Sequence, residues 1–429
     1  MDLTVVATGP LEGSLRPPSD KSLTHRAYML ASISKGDSVV RNPLRSADCE
    51  TTLRILRALG MKVASIVPEQ VRMRPAAEWN SPSVPLDCGN SGTTMRLLAG
   101  LIASRPIEAT LTGDNSLSKR PMGRIAEPLR KMGAHVEGDR APILIRGTEL
   151  HGIEHHSPVA SAQIKSCLLL AGLRAEGETW VDEPFLSRDH TERMLQALGV
   201  HIQYRPAPSP RNCVGVTGGQ TFEGFEFSVP SDISSAAFPM VAAALIPGSK
   251  ILLSDVGINP TRTGILDVFD QCGMGVEISN QGLQMGEPTA DLSVFSVAHL
   301  HPFEIGGAIV PRLIDEIPIL SVLATQCQGT SVIRDAAELR VKESDRLAKI
   351  AIGLRAMGAQ IDDTHDGLVI HGPTPLCGAR IDCEGDHRIA MAFAIAGMIA
   401  DGRTMIQGAE CIATSYPDFE KDLWGLCLV

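Results

Sequence analysis

Two carboxylates set among cations are the residues with the most chemistry to offer. Asp315 and Glu343 interrupt a basic set made of Lys21, Arg26, Arg120, Arg188, Lys342, Arg346 and Arg388. Each cation stands near a point where a helix is expected to begin. That end already carries partial positive charge, so a cation gains nothing from the dipole there. The placement makes sense where an anion binds. Arginine's planar fork suits carboxylate and phosphate, whereas lysine acts as a point charge. Read singly, each cation is most simply a solvated surface charge. Their recurrence at equivalent positions argues for a shared anion site. An acid among cations is either a charge partner or cap, or a proton-transfer group. Two carboxyls in different surroundings can divide acid and base work.

The elements that must position these residues repeat. Polar junctions open apolar, helix-like runs at Ser19-Asp20-Lys21-Ser22, Asn90-Ser91-Gly92-Thr93, Ser161-Ala162-Gln163, Ser231-Asp232-Ile233, Asp315-Glu316-Ile317 and Asp386-His387-Arg388. Their starts lie roughly 70 residues apart, with one longer interval after the fourth, a period that suits a supersecondary block rather than a solenoid unit. Pro17 and Pro18 exclude helix before the first junction, and Ser19 or Asp20 can cap the helix after it. Later segments of each block end in Leu-Gly or Met-Gly and pass into strand-like residues, at Gly60, Gly133, Gly199 and Gly358, with Cys272-Gly273 a looser copy and Trp424-Gly425 a vestigial sixth. Glycine there is the left-handed helix stop. Second helices are expected near Lys119-Arg120-Pro121, Ser187-Arg188-Asp189, Thr261-Arg262, Lys342 to Arg346 and Ser415 to Asp418, with Pro121 and Pro417 in first turns. Alternating helices and strands make the class α/β. Six blocks suggest two domains of three.

Composition narrows the functions. The 429 residues suffice for two or three domains, and 4% aromatic content implies an aliphatic core. A net charge of -10 argues against nucleic acid as the main partner, yet leaves room for a small anion held by local cations. Ten cysteines show no CxxC pair, which reads as reduced thiols in a cytoplasmic protein. No signal peptide is recognisable, and apolar runs such as 389–400 are too short to cross a membrane. His155-His156 and His299-Leu300-His301 lack a third ligand at a recognisable spacing, so no metal site is expected. Gly89-Asn90-Ser91-Gly92-Thr93-Thr94 resembles a phosphate cradle without the lysine of a P-loop; a tight strand-to-helix turn is the alternative.

Together these motifs resemble the 5-enolpyruvylshikimate-3-phosphate synthase family. The strongest are Ser19-Asp20-Lys21-Ser22 with Arg26, Gly89 to Thr93 with Arg96 and Lys119-Arg120-Pro121-Met122-Gly123, followed by Ser161-Ala162-Gln163, Arg340 to Leu347 and Asp386-His387-Arg388, in that order along nearly the whole chain. The resemblance implies an inside-out α/β barrel of two similar domains, each of three βαβαββ units. One domain would be discontinuous, 1–18 with 231–429, and the other would be 19–230, with the active site in the cleft between them. It implies transfer of the enolpyruvyl group of phosphoenolpyruvate to the 5-hydroxyl of shikimate 3-phosphate, with release of phosphate.

Carried over by motif, Lys21, Ser22, Arg26, Ser161, Ala162, Gln163, Ser187, Arg188, Asp315 and Lys342 would hold shikimate 3-phosphate. Lys21, Asn90, Gly92, Arg120, Gln163, Arg346 and Arg388 would surround phosphoenolpyruvate. Asp315, Glu343 and Lys21 would be catalytic. No metal or organic cofactor is implied, and a monomer without nucleic-acid or membrane partners is expected. The resemblance departs at Thr414, where many members carry Lys, and at Ala162, where others have Ser. The related transferase acting on UDP-N-acetylglucosamine usually places a Cys before its Arg-Pro motif; 113–119 has none. A non-catalytic anion-binding relative is the other reading, against which the intact Lys21, Asp315, Glu343 and Arg346 count.

Overall fold

Six helices buried over most of their length organise the chain. They are Lys21–Ala31, Gly92–Ala103, Ala162–Gly172, Ile233–Leu245, Ile317–Ala324 and His387–Met398. The last is buried at every residue, and Ile233–Leu245 at every residue but its final leucine. Five begin on a side-chain cap of the expected kind: Asp20, Ser91, Ser161, Asp232 and Asp386 each accept from a backbone N–H of the first turn. The helix at Ile317–Ala324 lacks such a cap and has proline in its first turn instead.

The computed structural model describes residues 1–67, 69–206 and 212–427. These form six open sheets, one per block. The second block shows the shared plan. Leu86–Asp87 runs parallel to Glu108–Thr112, with Leu86 opposite Leu111; Ile143–Arg146 then pairs antiparallel with Glu108–Thr112 and His135–Glu137. With the helices Gly92–Ala103 and Gly123–Lys131 between its strands, this block is βαβαββ. Glu154–His156, Glu178–Glu183, Asn212–Thr217 and Ile202–Pro206 repeat the pattern, as do Glu304–Ile305, Gly329–Ile333, Leu368–Gly372 and Gln360–Asp363. With the helices lying inside and the sheets outside, the fold is inside-out α/β.

Two blocks borrow their first strand from afar. Ser38–Arg41 pairs in parallel with Glu226–Ser228, and Lys250–Gly257 with Glu12–Leu15. The sixth block is shorter: Arg380–Asp382 and Arg403–Gln407 are joined by Leu3–Val6 from the N-terminus, giving three strands.

The chain packs as two compact units. The first comprises Met1–Pro18, Pro230–Gly282 and Pro288–Val429, the second Ser19–Val229 and Leu283–Glu287. Each has its own aliphatic core. The split differs from the expected one at Pro230 and at Leu283–Glu287, which the sequence reading assigned whole to the discontinuous domain. Leu283–Glu287 spans the turn of a hairpin whose strands, Val276–Gln284 and Glu287–Phe295, are nine residues each. This long hairpin also accounts for the extended interval after the fourth junction.

Smaller expectations divide. Gly60, Gly133, Gly199, Gly273 and Gly358 all take positive φ between +75° and +111°, as left-handed stops. Gly425 does not; it stays inside the helix Phe419–Gly425. Pro121 and Pro417 precede their helices, which begin at Gly123 and Phe419, because Met122 and Asp418 occupy the positions ahead of the first turn.

Candidate active site

In the second unit, two clusters form at the junctions. The first gathers around Gly92, whose missing side chain lets two guanidinium groups close in. A Cβ there would lie 3.1 Å from Arg96 Nη1 and 3.3 Å from Arg120 Nη1. Arg120 donates to Asn90 Oδ1, and Asn90 Nδ2 donates to Asp114 Oδ2 at 2.8 Å. Arg96 donates to Gln163 Oε1 and to the Pro121 carbonyl, while Gln163 Nε2 donates to Thr93 Oγ1 at 3.0 Å. Thus Asn90, Gly92, Arg120 and Gln163, four of the expected phosphoenolpyruvate contacts, share one connected patch. Arg96 belongs with them although only its motif drew attention in the sequence.

The second cluster holds Arg26. Its Nε donates to Thr191 Oγ1 at 2.8 Å, Nη2 to Ser166 Oγ at 2.9 Å and Nη1 to the Ser22 carbonyl at 3.0 Å. Burial lowers its pKa to about 10, which still leaves it charged at neutral pH. Nearby, Lys165 Nζ lies 2.9 Å from Glu183 Oε1 and 2.8 Å from Glu192 Oε1, with all three side chains buried. Glu183 accepts the Ser187 N–H at 2.8 Å and the Ser187 hydroxyl at 2.7 Å. Both Ser187 donors are therefore engaged. Lys21 Nζ sits 3.1 Å from Asp48 Oδ2. Ser161 caps its helix, so its oxygen accepts the Ile164 N–H; Ala162 offers only backbone, and Arg188 is half-buried.

In the first unit one guanidinium organises the junctions. Arg346, 1% exposed, donates to Asp315 Oδ1 at 3.2 Å, Glu343 Oε2 at 2.6 Å and Asp386 Oδ2 at 2.8 Å. Burial works against its charge, but the three carboxylates outweigh that, and its pKa is raised. Lys342 Nζ lies 3.9 Å from Asp315 Oδ1, and Arg388 Nη2 3.7 Å from Asp315 Oδ2. Asp315, Lys342, Glu343, Arg346 and Arg388 are therefore one group, with Asp386 as an unforeseen sixth member that also caps the helix bearing Arg388. Thr414 closes the short 3₁₀ helix Ala409–Thr414.

Comparison with known proteins settles the family. The profile described as EPSP synthase (3-phosphoshikimate 1-carboxyvinyltransferase) matches residues 5–423. The chain belongs to the EPSP synthase family. It is a transferase that moves the enolpyruvyl group of phosphoenolpyruvate onto shikimate 3-phosphate in aromatic biosynthesis. It is 50% identical to the 3-phosphoshikimate 1-carboxyvinyltransferase of Synechocystis sp., over 95% of this chain and 92% of that protein. It is 48% identical to that of Brevibacillus brevis, over 97% of this chain and 98% of the relative. The solved EPSP synthase of Acinetobacter baumannii superposes with a TM-score of 0.88 at 40% identity, covering 100% of this chain and 98% of that one. The enolpyruvyl transferase NikO from Streptomyces tendae, 18% identical with a TM-score of 0.79 over 99% and 96% of the two chains, shares the fold.

Several residues of these clusters escaped the sequence reading, among them Asp48, Ser166, Thr191, Glu183 and Lys165. One signal was available for the last. A lysine in the apolar run Ala162–Gly172 must find buried counter-charges.

Proposed function

We propose that the junction residues of both units serve one reaction, with cations of both units holding the two anions and two carboxylates of the first unit transferring protons. Lys21, Ser22, Arg26, Ser161, Ala162, Gln163, Ser187, Arg188, Asp315 and Lys342 take shikimate 3-phosphate. Lys21, Asn90, Gly92, Arg120, Gln163, Arg346 and Arg388 take phosphoenolpyruvate. Ser187 donates to the phosphate only with its hydroxyl turned from Glu183. The observation that carries this reading is Arg346, which gathers Asp315 and Glu343 on a single guanidinium.

Asp315 accepts the proton of the 5-hydroxyl as its oxygen attacks C2 of phosphoenolpyruvate. The C2–C3 π electrons take a proton from Glu343, and C3 becomes a methyl group. A tetrahedral intermediate results. In the second half Glu343 takes a methyl proton back, the bond from C2 to the phosphate oxygen breaks, and phosphate leaves with the proton from Asp315. Glu343 must enter protonated, and the negative charges of two bound substrates favour that form. Lys21 and the arginines hold the phosphate and carboxylate charges throughout. Two domains split near 18 and 230, a cytoplasmic setting and a monomer free of nucleic-acid and membrane partners complete the proposal. Among the described residues no helix is long and apolar enough to cross a membrane.

The test is phosphate release with both substrates, with each omitted in turn. Asp315→Asn and Glu343→Gln are each expected to cut release at saturating substrate by at least about 100-fold, the usual share of a general acid or base. Near-normal turnover in either variant, shown to be folded, would remove that residue from the proton path.

A further inference from the structure

Cys383 and Cys411 bring their sulfurs within 3.7 Å of each other, both in the first unit. A disulfide needs about 2.05 Å, so a closure of under about 2 Å separates the reduced pair from a bond. The flanking chain is suited to that movement on one side. Cys383 ends the segment after Arg380–Asp382 and is followed by Glu384 and Gly385, both at positive φ, a turn rather than a regular element. The Cys383 S–H donates to the Gln407 carbonyl at 2.9 Å, which turns its hydrogen from Cys411 and leaves a sulfur lone pair to face it. Cys411 is partly exposed, whereas Cys383 is buried. Cys272 and Cys327 also interact, but both are fully buried, out of reach of a dissolved oxidant.

We propose that Cys383 and Cys411 are a site of reversible oxidation, closed to a disulfide by hydrogen peroxide, and that closing it slows the enzyme. Cys383 and burial hold Cys411 as the thiol, so the step begins as Cys411 gives up its proton; its sulfur attacks one peroxide oxygen, the O–O bond breaks, Cys411 becomes a sulfenic acid, and hydroxide leaves as water with that proton. The Cys383 sulfur then attacks the Cys411 sulfur. The S–O bond breaks, the S–S bond forms, and a second water leaves with the Cys383 proton. Two thiols lose two electrons and one peroxide becomes two waters. The link to catalysis runs through Asp386, which holds Arg346 at 2.8 Å and lies three residues past Cys383. A displacement of an ångström or so near a reacting centre is enough to cost about tenfold in turnover or more.

Peroxide treatment, alkylation and tryptic mapping of the full chain test the idea. Cys383 falls in the peptide 381–388 and Cys411 in 404–421, apart from exposed Cys377. The expected result is a cross-linked pair of these peptides lighter by two hydrogens, a fall in phosphate release of about tenfold, and recovery of both with dithiothreitol. Cys411→Ser and Cys383→Ser should each abolish the cross-link and the reversible loss. Sulfinic or sulfonic acid at Cys411 without the cross-link would overturn the proposal. So would a cross-link that leaves activity unchanged, or equal reversible loss in both serine variants.

Discussion

The two units share a repeat but solve the same electrostatic problem in different ways. In the second unit, Arg26 is satisfied by Thr191, Ser166 and a carbonyl, Arg120 by Asn90, and Arg96 by Gln163 and a carbonyl. These hydrogen bonds run to neutral groups, while Glu192 and Asp20 act on Arg26 through space. In the first unit the equivalent cations meet carboxylates. Arg346 has three, and Arg262 donates to Asp232 Oδ1 at 2.9 Å, beside a Ser234 hydroxyl that donates to Glu316. There the cations hold acids in place. The second unit has ion pairs too, among them Lys21 with Asp48, Lys165 with two glutamates and Arg193 with Asp189. Both units bring cations to the proposed anion sites, and the first adds the carboxylates proposed to handle protons.

Paired substitutions of one residue type should separate these designs. Arg346→Gln would strand three carboxylates, two of them well buried, and should destabilise the protein by about 3–5 kcal/mol, the cost of breaking a buried pair from one side. Its denaturation midpoint should fall accordingly. Arg26→Gln leaves behind only hydroxyls and a carbonyl, which can re-pair, so the stability loss should be about 1 kcal/mol. Its cost should appear in the KM for shikimate 3-phosphate, up roughly ten- to a hundred-fold for a lost charge-assisted bond. If the two variants lost equal stability, the contrast between the units would not hold.

Gly92→Ala probes the second unit more gently. The new Cβ meets the ends of two flexible arginines, so the fold should survive with both guanidinium groups displaced by a few tenths of an ångström. The KM for phosphoenolpyruvate should rise about tenfold, while that for shikimate 3-phosphate changes little. Equal changes in both would mean that the patch around Gly92 is not specific to one substrate.

How far the sequence could lead follows from what each feature requires. The six inner helices were legible because an apolar run needs a polar start, and Asp20, Ser91, Ser161, Asp232 and Asp386 are such starts. The basic residues at those starts were legible for the same reason. Their partners were not. Thr191 lies 165 positions from Arg26, and Asp386 lies 40 from Arg346, so only packing brings them together. The turn at Leu283–Glu287 was hidden too, because a hairpin reads the same whichever unit it joins. Prolines misled in detail: Pro121 and Pro417 punctuate the chain just before a helix rather than within its first turn.

The smallest effect expected is on acid stability, and it tests the neutral hydrogen bonding of the second unit directly. His25 Nδ1 lies 2.7 Å from Thr52 Oγ1, Thr52 Oγ1 2.7 Å from Thr94 Oγ1, and Thr94 donates to Ser91 Oγ at 2.7 Å. With the proton on Nδ1 the chain runs one way, tying three helices without a charge, and buried Nε2 keeps a lone pair with no hydrogen-bond partner among the described residues. Protonation would put a charged N–H there with no acceptor, and burial accordingly lowers the pKa to about 3. The unfolded imidazole titrates near 6.5, so between these values the unfolded state binds a proton that the folded state refuses. Stability is therefore whole above pH 6.5 and is lost as pH falls toward 3, by up to about 1.4 kcal/mol per unit. Part-buried His155, whose pKa burial also lowers, contributes in the same direction and is unaffected by a change at His25. His25→Asn keeps a polar group for Thr52 but cannot titrate. Denaturation midpoints measured from pH 7.5 down to 5 should fall less steeply for this variant, by the equivalent of about one proton near pH 5. An unchanged slope would mean that His25 is charged in the folded protein, and that the second unit carries an ion where its hydroxyl chain requires none.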